Sequence, residues 1–274
     1  MVTLQAAMTT QKLSPLRRPL IRNLLIAAAA LIALPLVASG ASIATAERKH
    51  WSTARWDSTG LAPDPLSVKD AVIQVYAARV WGWRGAFAVH TWVVVKPAGA
   101  PSYTRYEVVG WGGSPVRISN RTPDGYWAGN PPELLHDLRG DTAAAAIPLL
   151  ISAAERYPGR DGYVIWPGPN SNSFVAWLAR EVPELGLELP PTAVGKDWLG
   201  PATFFAPAPS GTGYQVNLFG LAGVTAAARE GLELNLLGLT IGIDVLRPAL
   251  KLPGIGRIGL PTAATEAKSS ISNR

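Results

Sequence analysis

The strongest pattern in the chain is an unbroken apolar run, Leu24–Ala38, that follows Arg17, Arg18 and Arg22. No residue from Leu24 to Ala46 carries a charge. A helix needs about 20 apolar residues to cross a bilayer core, and basic residues stay on the cytoplasmic side. The pattern predicts a basic cytoplasmic segment over residues 1–23, a membrane segment over 24–46, and export of the residues beyond it. Two outcomes fit. Ala44-Thr45-Ala46 has the small-x-small form of a signal-peptidase site, so the segment is either cleaved near Ala46 or kept as a single anchor. Its length and the Arg48-Lys49 pair favour the anchor, in a bacterial inner membrane with the bulk of the chain in the periplasm. A buried soluble helix would need partners on every face, and Pro35 is tolerated in a membrane helix.

Beyond a Trp- and Pro-rich linker over 47–66, the continuous run gives way to alternation. Ala71-Val72-Ile73-Gln74-Val75-Tyr76 lies in a β-branched, strand-like stretch, Asp70–Val80. Trp81–Gly85 reads as a turn. Ala86–Val95 is the clearest strand. Phe87, Val89, Val93 and Val95 share one face, and Ala88, His90, Trp92 and Val94 the other. A Gly- and Pro-rich turn over 97–101 leads into Tyr103–Trp111, which completes a hairpin, and Val116–Ser119 is a candidate third strand. Pro131-Pro132 opens an expected short helix, Glu133–Leu138. Asp141 is the expected cap of a helix over Thr142–Arg156, kinked at Pro148. Tyr163–Trp166 reads as a short strand. Ser171 or Ser173 caps a helix, Phe174–Glu181, whose Phe174, Trp177 and Leu178 fall on one face. Residues 183–213 read mostly as loop. Residues 67–205 are thus expected to form one α+β domain, an antiparallel sheet with packed helices.

The tail changes character again. In a Gly-rich stretch over 214–245, Leu232, Leu234 and Leu236 alternate with Glu233 and Asn235, and Leu239, Ile241 and Ile243 with Thr240, Gly242 and Asp244. This predicts a β-hairpin extension over 206–261 with a half-buried face. Residues 262–274 are small and polar and read as a disordered tail. Strands of this kind could also line a barrel in an oligomer, which leaves a transport role as a minor alternative.

Charge and composition narrow the classes. The net charge is +6. Lys12 and the three arginines supply four of those charges and lie in the leader, so the exported part is nearly balanced. A nucleic-acid binder needs a basic stripe on its folded part, and none is present. There is no cysteine and there are three histidines, which excludes a disulfide framework and a Cys-type zinc site. Gly254-Ile255-Gly256-Arg257-Ile258-Gly259 fits the dinucleotide fingerprint in letters. Pro261 follows where a helix should begin, and no βαβ unit fits. No cofactor or metal is implied.

The chemistry-bearing pair is His90, mid-strand, and Ser171, in the run Asn170-Ser171-Asn172-Ser173-Phe174-Val175. A strand histidine facing a groove can serve as general base. A serine where a turn enters a helix sits near backbone N–H groups that stabilise an oxyanion. Glu107, the acid on the next strand, would orient the ring, with Tyr106 as the weaker choice. Against this stands the structural reading, a core histidine and a helix-capping serine. Trp92, Tyr106, Asn170 and Ser173 are the candidate binding residues around the pair.

Four stretches carry a resemblance to an uncharacterised bacterial family, domain of unknown function 3750. They are Gly82–Gly85 running into Val89-His90-Thr91-Trp92; Trp166–Phe174; Pro190–Ala193 with Gly195-Lys196-Asp197; and Leu236–Leu239 through Gly254–Gly259. The resemblance covers roughly residues 55–260 and brings no activity with it. More distantly, a His-bearing hairpin followed by an Asn-x-x-x-Phe motif opening a helix is similar to circularly permuted papain-like proteins, the lecithin retinol acyltransferase-like enzymes and envelope amidases. That likeness implies His90 as base and Ser171 in the position of the nucleophilic Cys. A serine hydroxyl is far less acidic than a thiol, so the replacement implies either a serine variant or a site that lost catalysis and kept binding.

The resulting expectation is a membrane-anchored envelope protein. Its degenerate papain-like domain would bind peptidoglycan, lipid or another envelope protein. The alternative is a serine-dependent amidase, esterase or acyltransferase acting on a peptidoglycan peptide or a lipid.

Overall fold

The computed structural model describes residues 17–44 and 51–262. The expected tail, and most of the basic segment before Arg17, lie outside the described residues. Helix α1 runs Arg17–Ala44. Among the residues described with their side chains, no helix is long and apolar enough to cross a membrane.

The first sheet has five antiparallel strands, β1 (Val72–Arg79), β2 (Val89–Lys96), β3 (Thr104–Val108), β4 (Val116–Ser119) and β5 (Glu133–Arg139), in the order β4-β3-β2-β1-β5. Alternation sends β-branched side chains to both faces. Ile73, Val75, Val89, Val93 and Val108 enter a core with α2 (Gly140–Glu155) and α3 (Ser171–Glu181). Val72, Tyr76, Trp92 and Val94 form a second core on the opposite face. That face is covered by the linker and by the segment after β4. The Asp124 carboxylate binds them together, accepting from the backbone N–H of Leu61 at 2.6 Å and of Ala62 at 3.1 Å and from the Ser58 hydroxyl at 2.7 Å.

Four local expectations need correction. Asp141 does not cap its helix: it lies in the first turn of α2, whose N-cap is Arg139, with no side-chain cap. Glu133–Leu138 is not a helix but the edge strand β5, because pairing with β1 satisfies its backbone. Its proline pair lies just before the strand, where the absent N–H breaks no ladder bond. Tyr163–Trp166 is not a strand; it is irregular, bends from Ile165 onward, and is tied back by the Val164 N–H to the Pro169 carbonyl. Helix α3 is capped by Asn170, not by a serine: its side chain accepts from the N–H of Asn172 and Ser173, and Ser173 Oγ accepts from the Asn170 N–H in return. This reciprocal pair is a capping box.

The C-terminal region is larger than one or two hairpins. β6 (Phe205–Pro207), β7 (Gly213–Leu218), β8 (Ala222–Ala227), β9 (Gly231–Leu236), β10 (Leu239–Asp244), β11 (Ala249–Leu252) and β12 (Gly256–Gly259) form a seven-stranded antiparallel meander in chain order. Its polarity is inverted. Gln215, Asn217, Thr225, Glu233, Asn235, Thr240, Asp244 and Lys251 are buried, while Val216, Val224, Leu232, Leu234 and Ile243 are exposed. The inner face is organised by ions. Lys196 Nζ lies 2.5 Å from Glu233 and 3.3 Å from Asp197; Lys251 Nζ lies 2.7 Å from Glu233 and 2.7 Å from Glu188. Arg257 then joins Glu188 to Asp244. Lys196, Asp197 and Glu188 come from the segment after α3, so the network rivets the second sheet to the first domain.

Removing one member of a buried ion pair leaves its partner desolvated and uncompensated, at a cost of about 3–5 kcal/mol. Glu233→Ala takes the shared partner from both lysines, leaving Lys196 with Asp197 and Lys251 with Glu188, and is expected to lower the stability of the full chain, read by denaturant unfolding, by about 3 kcal/mol. A loss below about 1 kcal/mol, the size of an exposed pair, would contradict a rivet at this position.

Candidate functional site

The period of two along β2 decides the geometry of the expected site. Thr91 pairs opposite Ala77, on the face that carries Val89 and Val93. From there its Oγ1 donates to Asn172 Oδ1 at 2.9 Å and to the Ser171 carbonyl at 3.2 Å. The Asn172 Nδ2 group donates to the Val89 carbonyl at 2.9 Å and to the Val194 carbonyl at 2.8 Å. The mouth of α3 is therefore pinned to β2 by Asn172 and Thr91. His90, one residue earlier, pairs opposite Ala78 and points to the other side of the sheet. The expected convergence of His90 and Ser171 in one hollow is not met.

His90 instead completes a buried polar array on the linker side. Its Nε2 lies 3.0 Å from Glu107 Oε2, and since a carboxylate only accepts, the ring donates. Arg105 Nη2 donates to the same oxygen at 2.7 Å. Arg121, half-exposed, lies 3.7 Å from the other carboxylate oxygen. The His90 ring stacks on Trp127 with centroids 3.6 Å apart and planes 10° from parallel. The Arg105 guanidinium sits 4.1 Å from the centroid of Trp92. Burial lowers the affinity of His90 for a proton, and Glu107 opposes that only in part. Burial alone would raise the Glu107 carboxyl, but His90 and Arg105 together hold it at about 2.

The other expected site residues are equally enclosed. Trp92 is fully buried and its Nε1 donates to the Pro123 carbonyl at 2.7 Å. Tyr106 lies in the helix-facing core, away from His90. Asn170 and Ser173 are consumed by the capping box, and Ser173 Oγ also meets the Tyr157 hydroxyl at 2.7 Å. Asn170 presses on Gly195, where a Cβ would meet its side-chain amide at 2.3 Å. Gly195 has φ +100°, so only glycine suits it. These four positions are buried and build the fold.

Sequence reasoning placed Glu107 beside His90 but missed Arg105 and Trp127. The alternation Arg105-Tyr106-Glu107 carries the signal for the first, since residues two apart share a face. Trp127 lies in an irregular segment and had no periodic signal. Two clefts open elsewhere, between the edge of the first sheet and the second sheet. One, of about 260 Å³, is lined by His136, Glu188, Arg229 and Arg247. The other, of about 310 Å³, is lined by Arg79, Glu133, Glu188 and Arg257 among others. Neither is lined by His90 or Ser171.

Residues 70–198 match a family model. Its description is protein of unknown function (DUF3750). The match spans the first sheet, both packed helices and the Gly195-Lys196-Asp197 stretch, and stops short of the meander. No curated protein and no solved structure matches the chain.

Because the Glu107 carboxyl sits below its ordinary 4.5 in the folded chain, its contribution is fully present above that pH and is lost as pH falls toward 2. Glu107→Gln is expected to flatten acid unfolding in this window. It should also lower stability at neutral pH by about 3 kcal/mol, because Arg105 keeps its charge without a partner. An unchanged acid profile would contradict the assigned array.

Proposed function

We propose that the chain is a membrane-anchored cell-envelope protein whose domain over 70–198 is non-catalytic. The observation that carries this is the register of β2. Thr91 stands at the mouth of α3 where a base would be needed, and His90 is sealed between Trp127 and Glu107 on the other face. Proton abstraction requires the base within hydrogen-bond reach of the nucleophile, directly or through one water. The serine-dependent amidase, esterase or acyltransferase therefore has no support in the geometry. The order of elements, a hairpin followed by a helix whose N-terminus packs on the first strand of that hairpin, supports a degenerate permuted papain-like module.

The anchor draws on α1. A helix of 28 residues is about 42 Å long, and its sequence is uncharged from Leu24 onward. The Ser39 hydroxyl donates to the carbonyls of Ala86 and Gly254, at 2.6 and 3.2 Å. The C-terminal part of the helix is thus docked on the domain, which supports a folded part held close to the bilayer with its partner in the envelope. The inner membrane of a bacterial cell, with the domain in the periplasm, is the location this reading assigns.

Two measurements test it. The full chain is expected to stay with the membrane pellet after alkaline carbonate extraction; release into the supernatant overturns the anchor. A labelled fluorophosphonate is expected to leave the chain unmodified. Labelling that disappears in Ser171→Ala would restore the hydrolase.

A further inference from the structure

The outer face of the second sheet is the largest feature the proposed function leaves unused. By register, every outward position on β6–β12 is apolar or tyrosine, and none is charged. Tyr214, Val216, Val224, Leu232, Leu234 and Ile243 are between 43% and 61% exposed. A soluble domain rarely leaves a contiguous apolar patch beyond a few hundred Å² facing water. Here the chain has spent its polar residues on the buried side of the same strands, so the exposed face is specified by pattern.

The turns at one end extend the face. Leu237 and Phe219 have positive φ, 53° and 55°, and are 66% and 52% exposed. In the two-residue turn Leu237-Gly238, Asn would occupy the first position at lower steric cost. A bulky apolar side chain held there in the left-handed region, and pointing away from the core, gains nothing in water. The half-exposed Trp166 lies against the same turn, its Nε1 donating to the Leu237 carbonyl at 2.9 Å.

The helix supplies the direction. α1 touches β11, and a Cβ on Gly254, in the β11–β12 turn, would meet Ser39 and Leu36. Leu36 belongs to the apolar run Leu24–Ala38 and Ser39 follows it directly. An element in contact with these residues lies at the depth of the helix's apolar part, and so belongs to the zone that the run occupies. Exposed Trp81 caps, and exposed Trp83 lies within, the 3-10 turn Gly82–Ala86 that the helix also touches. Tryptophans of this kind favour the headgroup level.

From these observations we infer that the outer face of the β6–β12 sheet is a monotopic lipid-contact surface, seated in the acyl-chain boundary of the leaflet from which α1 emerges. The occupant is phospholipid, recognised by apolar burial without charge. The inference rests on the anchor reading. Strands of three to six residues are too short to cross, since a spanning strand takes about 9–11 residues. The sheet lies in one leaflet and does not form a pore.

The chain has no cysteine, which permits single-site labelling. Leu234→Cys, Leu34→Cys and Glu155→Cys carry an environment-sensitive fluorophore in the full chain, reconstituted in phosphatidylcholine–phosphatidylglycerol vesicles. Quenching is read with nitroxide-bearing lipids and with aqueous iodide. The inference expects lipid quenching to remove most emission at Leu234→Cys and Leu34→Cys, and iodide alone to act at Glu155→Cys, on α2. Lipid quenching at Leu34→Cys with only iodide quenching at Leu234→Cys overturns the inference and leaves the anchor intact. Absence of lipid quenching at both sites overturns both. Protection of Leu234→Cys from both quenchers, with label-to-label proximity between chains, assigns the face to a second copy and overturns the lipid assignment.

Discussion

The ion network through Lys196, Glu233 and Lys251 is the constraint on which the molecule is arranged. Lys196 and Lys251 are fully buried, and each meets Glu233 within 2.7 Å. Charges of this kind contribute little net stability against an apolar alternative, because desolvation offsets attraction. They do select one arrangement, since any other leaves a charge unpaired in a low-dielectric interior. A strand has two faces, and a shift by one residue exchanges them. Once Glu233 must reach Lys196, Leu232 and Leu234 have nowhere to point but outward. The exposed apolar sheet is a consequence of the buried charged one.

The same parity rule governs the first sheet with the opposite consequence. On β2 it assigns Thr91 to α3 and His90 to the linker. The two residues are adjacent in the chain, yet they serve different layers. A histidine bonded to a carboxylate on one side and an Asn-Thr latch on the other share one strand without contact. The Glu107 carboxylate and the Trp127 ring make His90 a keystone of the linker layer. The capping box at Asn170 fixes where α3 begins, and Asn172 fixes where it lands.

Much of this was legible in the chain. The alternation over Ala86–Val95 predicted β2 and assigned His90 and Val89 to opposite faces. The apolar face of Phe174, Trp177 and Leu178 predicted α3. What failed was the choice of partner for each face. A strand pattern shows that two faces differ without showing which packs on the helices, and His90 was matched to Ser171 across the wrong one. The meander repeats the lesson. The Leu-Glu-Leu-Asn-Leu alternation in β9 reads as an apolar face turned inward, because that is the usual outcome for a half-buried sheet. The cations that reverse it come from Lys196 and Lys251, 37 and 18 residues away from Glu233, and no local pattern couples them. The helix expected at Glu133–Leu138 was lost in a similar way, to a long-range pairing with β1.

The inverted sheet is tested most directly by the reactivity of its lysines. Acetylation of the native full chain with a water-soluble amine reagent, read site by site by mass spectrometry, separates the two orientations. The account predicts rapid modification of the exposed Lys69 and strong protection of Lys196 and Lys251, which are 2% and 0% exposed. Modification of Lys196 and Lys251 at the rate of Lys69 in the folded chain would place the charged face in water and contradict the inverted arrangement.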